Sequence, residues 1–364
     1  MVGAGQLARM THQAGIGLGL TLRVLAESPD DGAALVTPGV ELGAPDDLGA
    51  LMRFAKGCDV VTFDHEHVPA EHLRALEAAG VEVRPGSAAQ LFAQDKLAQR
   101  RRLFELGLPV PAFAPVTSVA DIERFGAEHG WPVALKAIRG GYDGRGVWML
   151  DAPPDVLPSV PVYVEERVLL MHELAVQVAR RPSGEMRAWP VVETVQEDGI
   201  CVEVVAPAPR ISPALSTEAA RIGTRLAEQL DVTGLLAVEL FEAPGGLVVN
   251  ELAMRPHNSG HWSIDGAVTD QFEQHLRAVL DWPLGDPAPV VPVTVMANLL
   301  GGAHTELATT LPAALAAVPE ARVHLYGKAP RPGRKLGHVT VLGDDVVEVR
   351  DRARLAVSIL RGDD

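Results

Sequence analysis

The sequence predicts a multidomain protein that combines an α/β domain with α+β domains, and three observations lead to this prediction. The chain has 364 residues, more than one ordinary core serves, so two or three packed domains are expected. Residues 1–92 alternate short apolar runs with helical patterns. Residues 93–288 and 289–364 are richer in strand patterns. We therefore predict three domains, with boundaries near residues 92 and 288.

The pattern of the N-terminal region, residues 1–92, predicts a Rossmann-like βαβ domain with a parallel sheet. Strand patterns alternate there with helical patterns, as they do where helices join parallel strands. The predicted strands cover residues 22–26, 58–63 and 81–85, and the predicted helices cover residues 48–55 and 70–80.

The remaining elements predict a β-rich centre and a small β-rich C-terminal domain. One helix is expected over about residues 87–106. The central strands are predicted at 132–138, 147–150, 162–168, 236–240 and 246–252. From about residue 290, a closing helix follows the strand patterns PVTVMANLL, ARVHLYG and HVTVLG.

Composition and charge exclude several classes of protein. The net charge of −15 argues against a nucleic-acid binder, whose affinity rests on clustered Lys and Arg. No apolar stretch approaches the roughly 20 residues of a membrane helix, and the segment MVGAGQLARMTHQAG lacks the features of a secretory signal. Cys58 and Cys201 are too few for a disulfide scaffold. We expect a cytoplasmic enzyme that binds neither nucleic acid nor membrane.

The first motif is the glycine turn GAGQLA, which starts at Gly3. Its G-x-G-x-x-A spacing opens a helix and presents backbone N–H groups to a phosphate. Glu27 ends the next strand, where a dinucleotide fold has its ribose-binding acid. The motif is compatible with NAD, with another anion, or with close backbone packing alone. Only two residues precede Gly3, so the first strand is nearly missing, which puts the anion site at risk.

The second motif joins Lys136, at the end of a strand, to the loop RGGYDGRG over residues 139–146. Its four glycines let the backbone approach phosphate oxygens and adopt positive φ, and the lysine supplies a point charge. The spacing differs from the Walker pattern. A hairpin turn explains two such glycines, but four between basic residues favour a phosphate-binding flap.

The third motif is a pair of acids on two strands joined by FEAPGG. A hairpin of that length places Glu239 and Glu251 nearly opposite each other, at a Cβ separation of roughly 5 Å. Two carboxylates repel unless a cation lies between them, and Mg²⁺ prefers one or two carboxylates plus phosphates. We predict a metal clamp, with Asn250 as a neutral oxygen ligand or orienting group. Two solvent-facing acids on an edge hairpin are the alternative.

The fourth motif is the segment MRPHNSGHW, residues 254–262, directly after the second acid. A loop dense in hydrogen-bond donors suits an anionic acceptor and a transferring phosphoryl group. Its candidate catalytic residues are Arg255, His257 and Asn258. Either His257 or His261 is also compatible with a capping role or with a hydrogen bond to the backbone.

Taken in order, these motifs resemble those of 5-(carboxyamino)imidazole ribonucleotide synthases, which are ATP-grasp enzymes of purine biosynthesis. The matching segments are GAGQLARM, KAIRGGYDGRGV, VEERV, VNELAMRPHNSGHW and APRPGRKLGH. The resemblance covers nearly the whole chain. It implies an N-terminal pre-ATP-grasp domain, an ATP-grasp domain of two subdomains and a small C-terminal domain.

The resemblance also implies a reaction and its ligands. In this family ATP phosphorylates bicarbonate to carboxyphosphate, which carboxylates the exocyclic amine of aminoimidazole ribonucleotide and leaves ADP and phosphate. We therefore expect ATP and Mg²⁺ as cofactors, aminoimidazole ribonucleotide and bicarbonate as substrates, and a homodimer.

Roles are carried over position by position from the resemblance. Nucleotide contacts are implied for Lys96, Lys136, Gly141, Tyr142, Asp143, Gly144, Arg145, Gly146, Val147, Glu165, Glu166, Arg167, Val168, Glu173, Gln196, Asn250 and Glu251. Mg²⁺ is implied at Glu239 and Glu251, and bicarbonate and carboxyphosphate at Arg255, His257 and Asn258. The ribonucleotide is implied at Gly5, Gln6, Leu7, Asp64, Glu66, Lys328, Arg331 and Lys335.

Two positions depart from the usual pattern of the family. Relatives often have His at the position of Gln196 and Glu at the position of Asp64. Both changes keep hydrogen-bonding capacity, so they bear on affinity more than on activity. Three other functions remain open at this point: a formate-using ATP-grasp transformylase, a nucleotide-binding protein without turnover, and an NAD enzyme.

Overall fold

The computed structural model describes residues 1–141, 144–302 and 306–363. Its first part is a small α/β unit. The elements are α1 (Gln6–Gly17), β1 (Arg23–Ala26), β2 (Gly39–Leu42), α2 (Leu48–Phe54) and α3 (Ala70–Ala78). Strands β1 and β2 pair in parallel, as the alternation predicts, although the sequence did not indicate β2. The strand predicted at 22–26 is confirmed.

The other two strands predicted in this unit are wrong as continuous strands. Residues 58–63 and 81–85 contribute only isolated parallel bridges, from Val61 to Val83 and from Phe63 to Val2. Because each segment is short and joins the sheet at one or two residues, an apolar run alone does not make a regular strand here.

The nearly missing first strand is represented by two residues. Val2 bridges both Leu25 and Phe63 in parallel, and its N–H donates to Thr62 O at 2.8 Å. Gly3 N–H donates to Leu25 O at 3.0 Å. This short stretch therefore occupies the place of a central strand and leads directly into α1.

The single helix predicted over residues 87–106 is wrong, because two helices replace it. α4 (Ser87–Gln94) and α5 (Lys96–Glu105) meet at Asp95, which is extended with φ −124° and ψ 100°. The Asp95 carboxylate caps α5 by accepting from Ala98 N–H. The break turns Lys96 toward the next subdomain, where its backbone N–H donates to Ile138 O at 2.9 Å.

A four-stranded antiparallel sheet follows. It contains β3 (Phe113–Val116), β4 (Val133–Ala137), β5 (Val147–Leu150) and β6 (Val162–Glu166), in the order β3-β6-β4-β5, with α6 (Val119–His129) packed on it. The strands predicted at 132–138, 147–150 and 162–168 are confirmed to within two residues. This sheet presents Lys136 and Glu165 toward the rest of the molecule.

A large antiparallel sheet forms the remaining body. Among the described residues it has nine strands, in the order β12-β11-β7-β9-β10-β13-β15-β14, with β8 paired to β7. Its strands are β7 (His172–Arg180), β8 (Met186–Ala188), β9 (Val192–Glu197), β10 (Ile200–Ala206), β11 (Gly234–Ala243), β12 (Gly246–Ala253), β13 (Val293–Leu300), β14 (Arg322–Leu325) and β15 (Lys335–Gly343).

This sheet continues across the predicted boundary near residue 288, because β10 pairs with β13. Its helices are α7 (Pro213–Gln229), α8 (Ser263–Gly266), α9 (Gln271–Val279), α10 (Leu307–Ala317) and α11 (Val346–Arg361). Within the described residues, no helix is long and apolar enough to span a membrane.

Side-chain contacts join the N-terminal unit to the large sheet. Thr62 Oγ1 and His275 Nε2 of α9 lie 2.8 Å apart, and Arg84 donates to Val279 O at 2.6 Å. His275 is fully buried, and that burial lowers its pKa to about 3. The imidazole at this interface is therefore neutral over the physiological range.

The pKa of His275 predicts an acid-sensitive contribution to stability. The folded-state pKa lies below the ordinary value of about 6.5, so this stability is complete above pH 6.5 and is lost as pH falls toward 3. His275→Gln should lower the slope of unfolding free energy against pH by about 1.4 kcal/mol per pH unit between pH 6 and 4. Urea denaturation at a series of pH values measures this slope.

Thr62→Val is the control for the histidine variant. It removes the hydrogen bond but keeps the imidazole, so it should cost about 1 kcal/mol and leave the slope unchanged. An unchanged slope in His275→Gln would contradict the expectation.

Gly3 predicts a second stability effect, because its φ is +94° and a Cβ there would lie 1.7 Å from Asp64 Oδ1. Gly3→Ala should therefore cost about 2 kcal/mol or more, from backbone strain and overpacking together. Gly19→Ala is the matched control, since Gly19 also has positive φ but a Cβ there meets nothing within 4 Å. It should cost about 1 kcal/mol in the same thermal unfolding experiment. Equal losses in both variants would contradict the predicted clash.

Candidate active site

The two acids of the predicted clamp face each other. The register of β11 and β12 pairs Glu239 with Glu251, as expected from the hairpin length, and a bulge follows between Glu239 and Leu240. Burial, and then the charges of Glu251 and Glu173, raise the pKa of Glu239 to about 7. Repulsion of this kind is what a cation between the carboxylates would relieve.

Their donor set fits Mg²⁺ held together with phosphates. Glu239 and Glu251 offer carboxylate oxygens, and Asn250 Nδ2 lies 3.4 Å from Glu239 Oε2, which keeps the amide beside the pair. No group of three or more His, Cys, Asp or Glu side chains in the described part of the chain is arranged as a metal cage. A site of two carboxylates is open enough to leave coordination positions for a nucleotide.

Two lysines lie among these acids. Lys96 Nζ donates to Glu251 Oε1 at 2.6 Å. Lys136 Nζ lies 2.7 Å from Glu165 Oε2 and 3.4 Å from Asn250 Oδ1. The lysines come from α5 and β4 and the acids from β6 and β12, so both sheets contribute to one charged cleft. The structure thus brings together the predicted phosphate-binding lysines and the predicted metal ligands.

Arg100 is a residue of this cluster that the sequence analysis missed. It is 1% exposed, forms a buried ion pair with Glu165, and donates to Val249 O at 3.1 Å and to Asn250 O. A basic run on a helix usually marks a solvated face. The available signal was its spacing, since Arg100 lies four residues after Lys96 and thus on the same face of α5.

The glycine loop lies across the cleft from the large sheet. Gly140, Gly144 and Gly146 have positive φ, as the flap prediction requires. A Cβ on Gly144 would lie 3.3 Å from Asp198 O and Gly199 Cα, in the turn between β9 and β10. The predicted positions Arg145 and Val147 follow in the loop and at the start of β5. Two predicted contacts lie outside the described residues, Tyr142 and Asp143.

Of the four nucleotide contacts predicted at the end of β6 and just after it, the first two have carboxylates that bond within the protein. Glu165 points inward to Arg100 and Lys136, and Glu166 Oε1 accepts from Ala112 N–H at 3.1 Å. After them, β6 ends and the chain continues through Arg167, which is exposed, and Val168, which is half-buried.

The predicted nucleotide contact Glu173 lies on β7 beside β9. Its carboxylate is hydrogen-bonded to Gln196, and burial raises its pKa. Gln196, where relatives often have His, therefore contacts this carboxylate directly. The structure brings these two predicted nucleotide contacts together on neighbouring strands.

The loop after β12 carries the three candidate catalytic residues and approaches the acid pair through His257. Arg255 Nε lies 2.8 Å from Glu66 Oε1. His257 Nε2 lies 3.5 Å from Glu239 Oε1, and its Nδ1 lies 2.9 Å from Ser259 Oγ. Burial, with the charges of Arg255 and Lys335, lowers the pKa of His257 to about 3. The imidazole is therefore neutral, and it can accept or donate without carrying charge.

The alternative structural roles of this loop are also visible. His257 Nδ1 accepts from Ser259 N–H at 3.3 Å and so caps the short 3₁₀ turn Asn258–Gly260. Asn258 exchanges two amide hydrogen bonds with Asn298, of 2.9 and 2.8 Å. Part of the hydrogen-bonding capacity of both candidate catalytic residues is thus used inside the protein.

The predicted ribonucleotide contacts gather where the N-terminal unit meets β15. Gly5 N–H donates to Asp64 Oδ2 at 2.6 Å, and Lys328 Nζ donates to Gln6 Oε1 at 2.6 Å. Burial, and then the charge of Arg334, lowers the pKa of Lys328 to about 8. The remaining predicted contacts are the buried Leu7, the exposed Arg331 and the half-buried Lys335.

At Asp64, burial raises the pKa of the carboxyl group, and its oxygens lie against Gly3 and Gly5. The N–H of Gly5, in the glycine turn, is therefore already hydrogen-bonded to the Asp64 side chain. Because the Leu7 side chain packs in the core with Phe272 and Tyr326, only its backbone faces outward.

The chain is similar to known families along three consecutive segments. Residues 1–94 match the ribonucleotide synthetase preATP-grasp domain, residues 101–272 the ATP-grasp domain, and residues 294–352 the phosphoribosylaminoimidazole carboxylase C-terminal domain. The predicted fold class is confirmed by these matches.

Full-length relatives agree with the segment matches. The N5-carboxyaminoimidazole ribonucleotide synthase of Mycobacterium bovis is 56% identical over 98% of this chain and 86% of its own length. That of Synechococcus elongatus is 41% identical over 94% of this chain and 88% of its own length.

Two solved structures share the fold. The Thermus thermophilus N5-carboxyaminoimidazole ribonucleotide synthetase has a TM-score of 0.88 and 38% identity, with 99% of this chain and 98% of that chain covered. The Aspergillus clavatus synthase in complex with ADP and 5-aminoimidazole ribonucleotide has a TM-score of 0.90 and 31% identity, with coverage of 99% and 98%.

Arg100→Met is predicted to disturb the nucleotide side of the cleft. It removes the guanidinium partner of the buried Glu165 carboxylate, so it should cost about 3 kcal/mol of stability and weaken ATP binding. Arg101→Met is the control, because Arg101 is exposed on the same helix and should tolerate the change. Urea denaturation and calorimetric titration with ATP measure the two effects. Wild-type ATP affinity in Arg100→Met would contradict this role.

Proposed function

The chain belongs to the N5-carboxyaminoimidazole ribonucleotide synthase family, and from this premise we propose that it carboxylates 5-aminoimidazole ribonucleotide with bicarbonate. The reaction consumes ATP, proceeds through carboxyphosphate, releases ADP and phosphate, and serves de novo purine biosynthesis. The observation that carries the proposal is the contact between the two halves of the site. His257, in the loop expected to face bicarbonate, lies 3.5 Å from Glu239 of the acid pair expected to face the nucleotide.

Related structures have been solved with the ligands of those proteins. Aspergillus clavatus carboxyaminoimidazole ribonucleotide synthase was solved with ATP, and the synthase of the same organism with ADP and 5-aminoimidazole ribonucleotide. We assign the same ligands to this chain, because its lysines, acids and glycine loop are arranged in one cleft.

Positioning and charge neutralisation account for catalysis in this site. Bicarbonate is a poor electrophile until ATP phosphorylates one of its oxygens, and phosphoryl transfer needs little covalent help from a protein. Lys96 and Lys136 would neutralise charge on the phosphates. We propose that Glu239 and Glu251, with Asn250 beside them, hold Mg²⁺, which would neutralise further phosphate charge when bound.

We call the part of the cleft formed by Arg255, His257 and Asn258 the acceptor side. It offers the guanidinium cation of Arg255 and the neutral imidazole of His257. The Arg255 guanidinium, oriented by Glu66, would contact the anionic carboxyphosphate. His257 is neutral and so can hydrogen-bond the same group without adding a second positive charge. Asn258 is held by Asn298, which leaves one N–H and one lone pair of its side chain for substrate.

The ribonucleotide would lie between the N-terminal unit and β15. Its phosphate would contact the backbone of Gln6 and Leu7 together with the side chains of Lys328, Arg331 and Lys335. The N–H of Gly5 would join them by exchanging its bond to Asp64 for one to the phosphate. Its imidazole ring would lie near Asp64 and Glu66. Glu66 contacts Arg255 of the loop after β12, so the amine of the ribonucleotide would approach the carboxyphosphate from that side.

Water has to be kept from the intermediate. Carboxyphosphate hydrolyses or loses CO₂ unless the amine captures it first. The approach of Gly144 to the turn at Asp198 and Gly199 gives the glycine loop a surface to close against. We assign this closure to the loop as its function.

We also infer three features of the protein as a whole. The domain boundaries lie near residues 92 and 288, the protein is a homodimer, and it acts in the cytoplasm. The family resemblance supports the dimer, and sedimentation equilibrium of the purified protein tests it.

Phosphate release tests the proposed reaction. With Mg·ATP and bicarbonate, turnover should appear only when aminoimidazole ribonucleotide is added. Release that depends on formate instead would favour a transformylase. Calorimetric binding of ATP without turnover in either arm would favour a binding protein, and binding of NAD would favour a dinucleotide enzyme.

Glu251→Gln should abolish this activity. The change is nearly isosteric but removes one of the two negative charges of the acid pair, so phosphate release should fall by about 100-fold or more while the fold is retained. Glu242→Gln is the control, because Glu242 lies on the same hairpin but pairs with His172 at 2.9 Å. Full activity in Glu251→Gln would contradict the metal assignment.

A further inference from the structure

Gln271, the first residue of α9, lies directly behind the loop that carries His257 and is fully buried. Its Oε1 accepts from His257 N–H at 2.9 Å and from Gln177 Nε2 at 3.0 Å. Its Nε2 donates to His257 O at 2.9 Å and lies 2.7 Å from His261 Nδ1. The side-chain amide of Gln271 therefore uses both of its N–H groups and both of its oxygen lone pairs. Two of these four hydrogen bonds go to the backbone of His257.

The orientation of this amide is determined by its partners. A backbone N–H only donates and a backbone C=O only accepts, so His257 identifies which end of Gln271 is oxygen and which is nitrogen. The second N–H of Gln271 then requires His261 Nδ1 to accept. His261 is buried, and burial lowers its pKa well below the ordinary value, in agreement with a neutral ring that carries its proton on Nε2.

The surroundings of Gln271 leave the loop no room to shift. Its own N–H donates to Ser263 Oγ at 2.9 Å, and that hydroxyl donates to Gly260 O at 2.6 Å. A Cβ on Gly260 would lie 2.1 Å from Gln177 Oε1. The 3₁₀ turn after His257 is thus packed directly against the two glutamine amides.

We propose that Gln271 is the positioning residue for the acceptor side of the reaction. By holding both backbone groups of His257, it places the imidazole 3.5 Å from Glu239 and fixes the loop from which Arg255 extends. This inference rests on the proposed function. Gln271 contacts no reacting atom, so it acts only by positioning the side chains of His257 and Arg255.

Loss of this clamp has a specific chemical consequence. If His257 and Arg255 are displaced while the lysines and acids that bind the nucleotide stay in place, carboxyphosphate still forms. It then reacts less often with the amine of the ribonucleotide. Water then attacks it, which returns bicarbonate and releases phosphate. ATP consumption and carboxylation become uncoupled.

The test compares Gln271→Glu with Gln274→Glu. Glutamate at 271 keeps the acceptor for His257 N–H but loses both donors of Nε2. Gln274 lies on the same helix, is equally buried, and holds a backbone in the same way, since its amide bonds Gly285 N at 2.7 Å and Gly285 O at 2.9 Å. Because Gly285 lies outside the cleft, Gln274→Glu is a matched control for the effect of the substitution on stability.

In Gln271→Glu, kcat for consumption of the ribonucleotide should fall about 10- to 100-fold, with KM for ATP unchanged. Phosphate released per ribonucleotide consumed should rise above one. Gln274→Glu should keep both kcat and this ratio, although its melting temperature falls comparably. If the two variants lose kcat together and both stay coupled, Gln271 has only a structural role and the inference is overturned.

A milder variant keeps the test valid if Gln271→Glu does not fold. Gln177→Met removes one hydrogen bond to Gln271 Oε1 and should also raise the ratio of phosphate to carboxylation, whereas a wild-type ratio would overturn the inference. Failure of the proposed function is distinguishable, because the wild-type protein itself would then show no ribonucleotide-dependent phosphate release.

Discussion

Two carboxylates held face to face are the constraint around which the cleft is arranged. The register of β11 and β12 places Glu239 opposite Glu251, and burial together with their mutual repulsion raises the pKa of Glu239 to about 7. Cations from other elements offset this charge. Lys96, at the start of α5 after the break at Asp95, pairs with Glu251, and Lys136 of the other sheet contacts Asn250 beside the pair.

A second buried charge fixes how the two sheets meet. Arg100 and Glu165 are both almost fully buried, which is costly unless their hydrogen-bonding groups are satisfied. Glu165 uses one oxygen for Arg100 and the other for Lys136, while Arg100 also binds the carbonyls of Val249 and Asn250. The strand that carries Glu251 is thereby tied to the sheet that carries Lys136, which sets the geometry of the nucleotide side.

The loop after β12 is the point where all three predicted domains meet. Glu66 of the N-terminal unit orients Arg255, Gln271 of α9 holds His257, and Asn298 of β13 holds Asn258. Because β10 pairs with β13, the C-terminal region is part of the same sheet as Glu239. Each domain therefore contributes one anchor to the group of residues that would face the transferring phosphoryl group, and the acceptor side is rigid for that reason.

The local features of the site are written in the sequence. Facing acids follow from strand alternation and hairpin length, and positive φ in the loop follows from its glycines, because both depend on neighbours in the chain. The motif order also led to the family. The buried partners of Arg100 and Gln271, and the place of Val2 between Leu25 and Phe63, were settled by packing instead. These partners lie on other elements of the fold, and burial favours a paired polar side chain where an isolated one would stay in water, so the local pattern alone does not assign them.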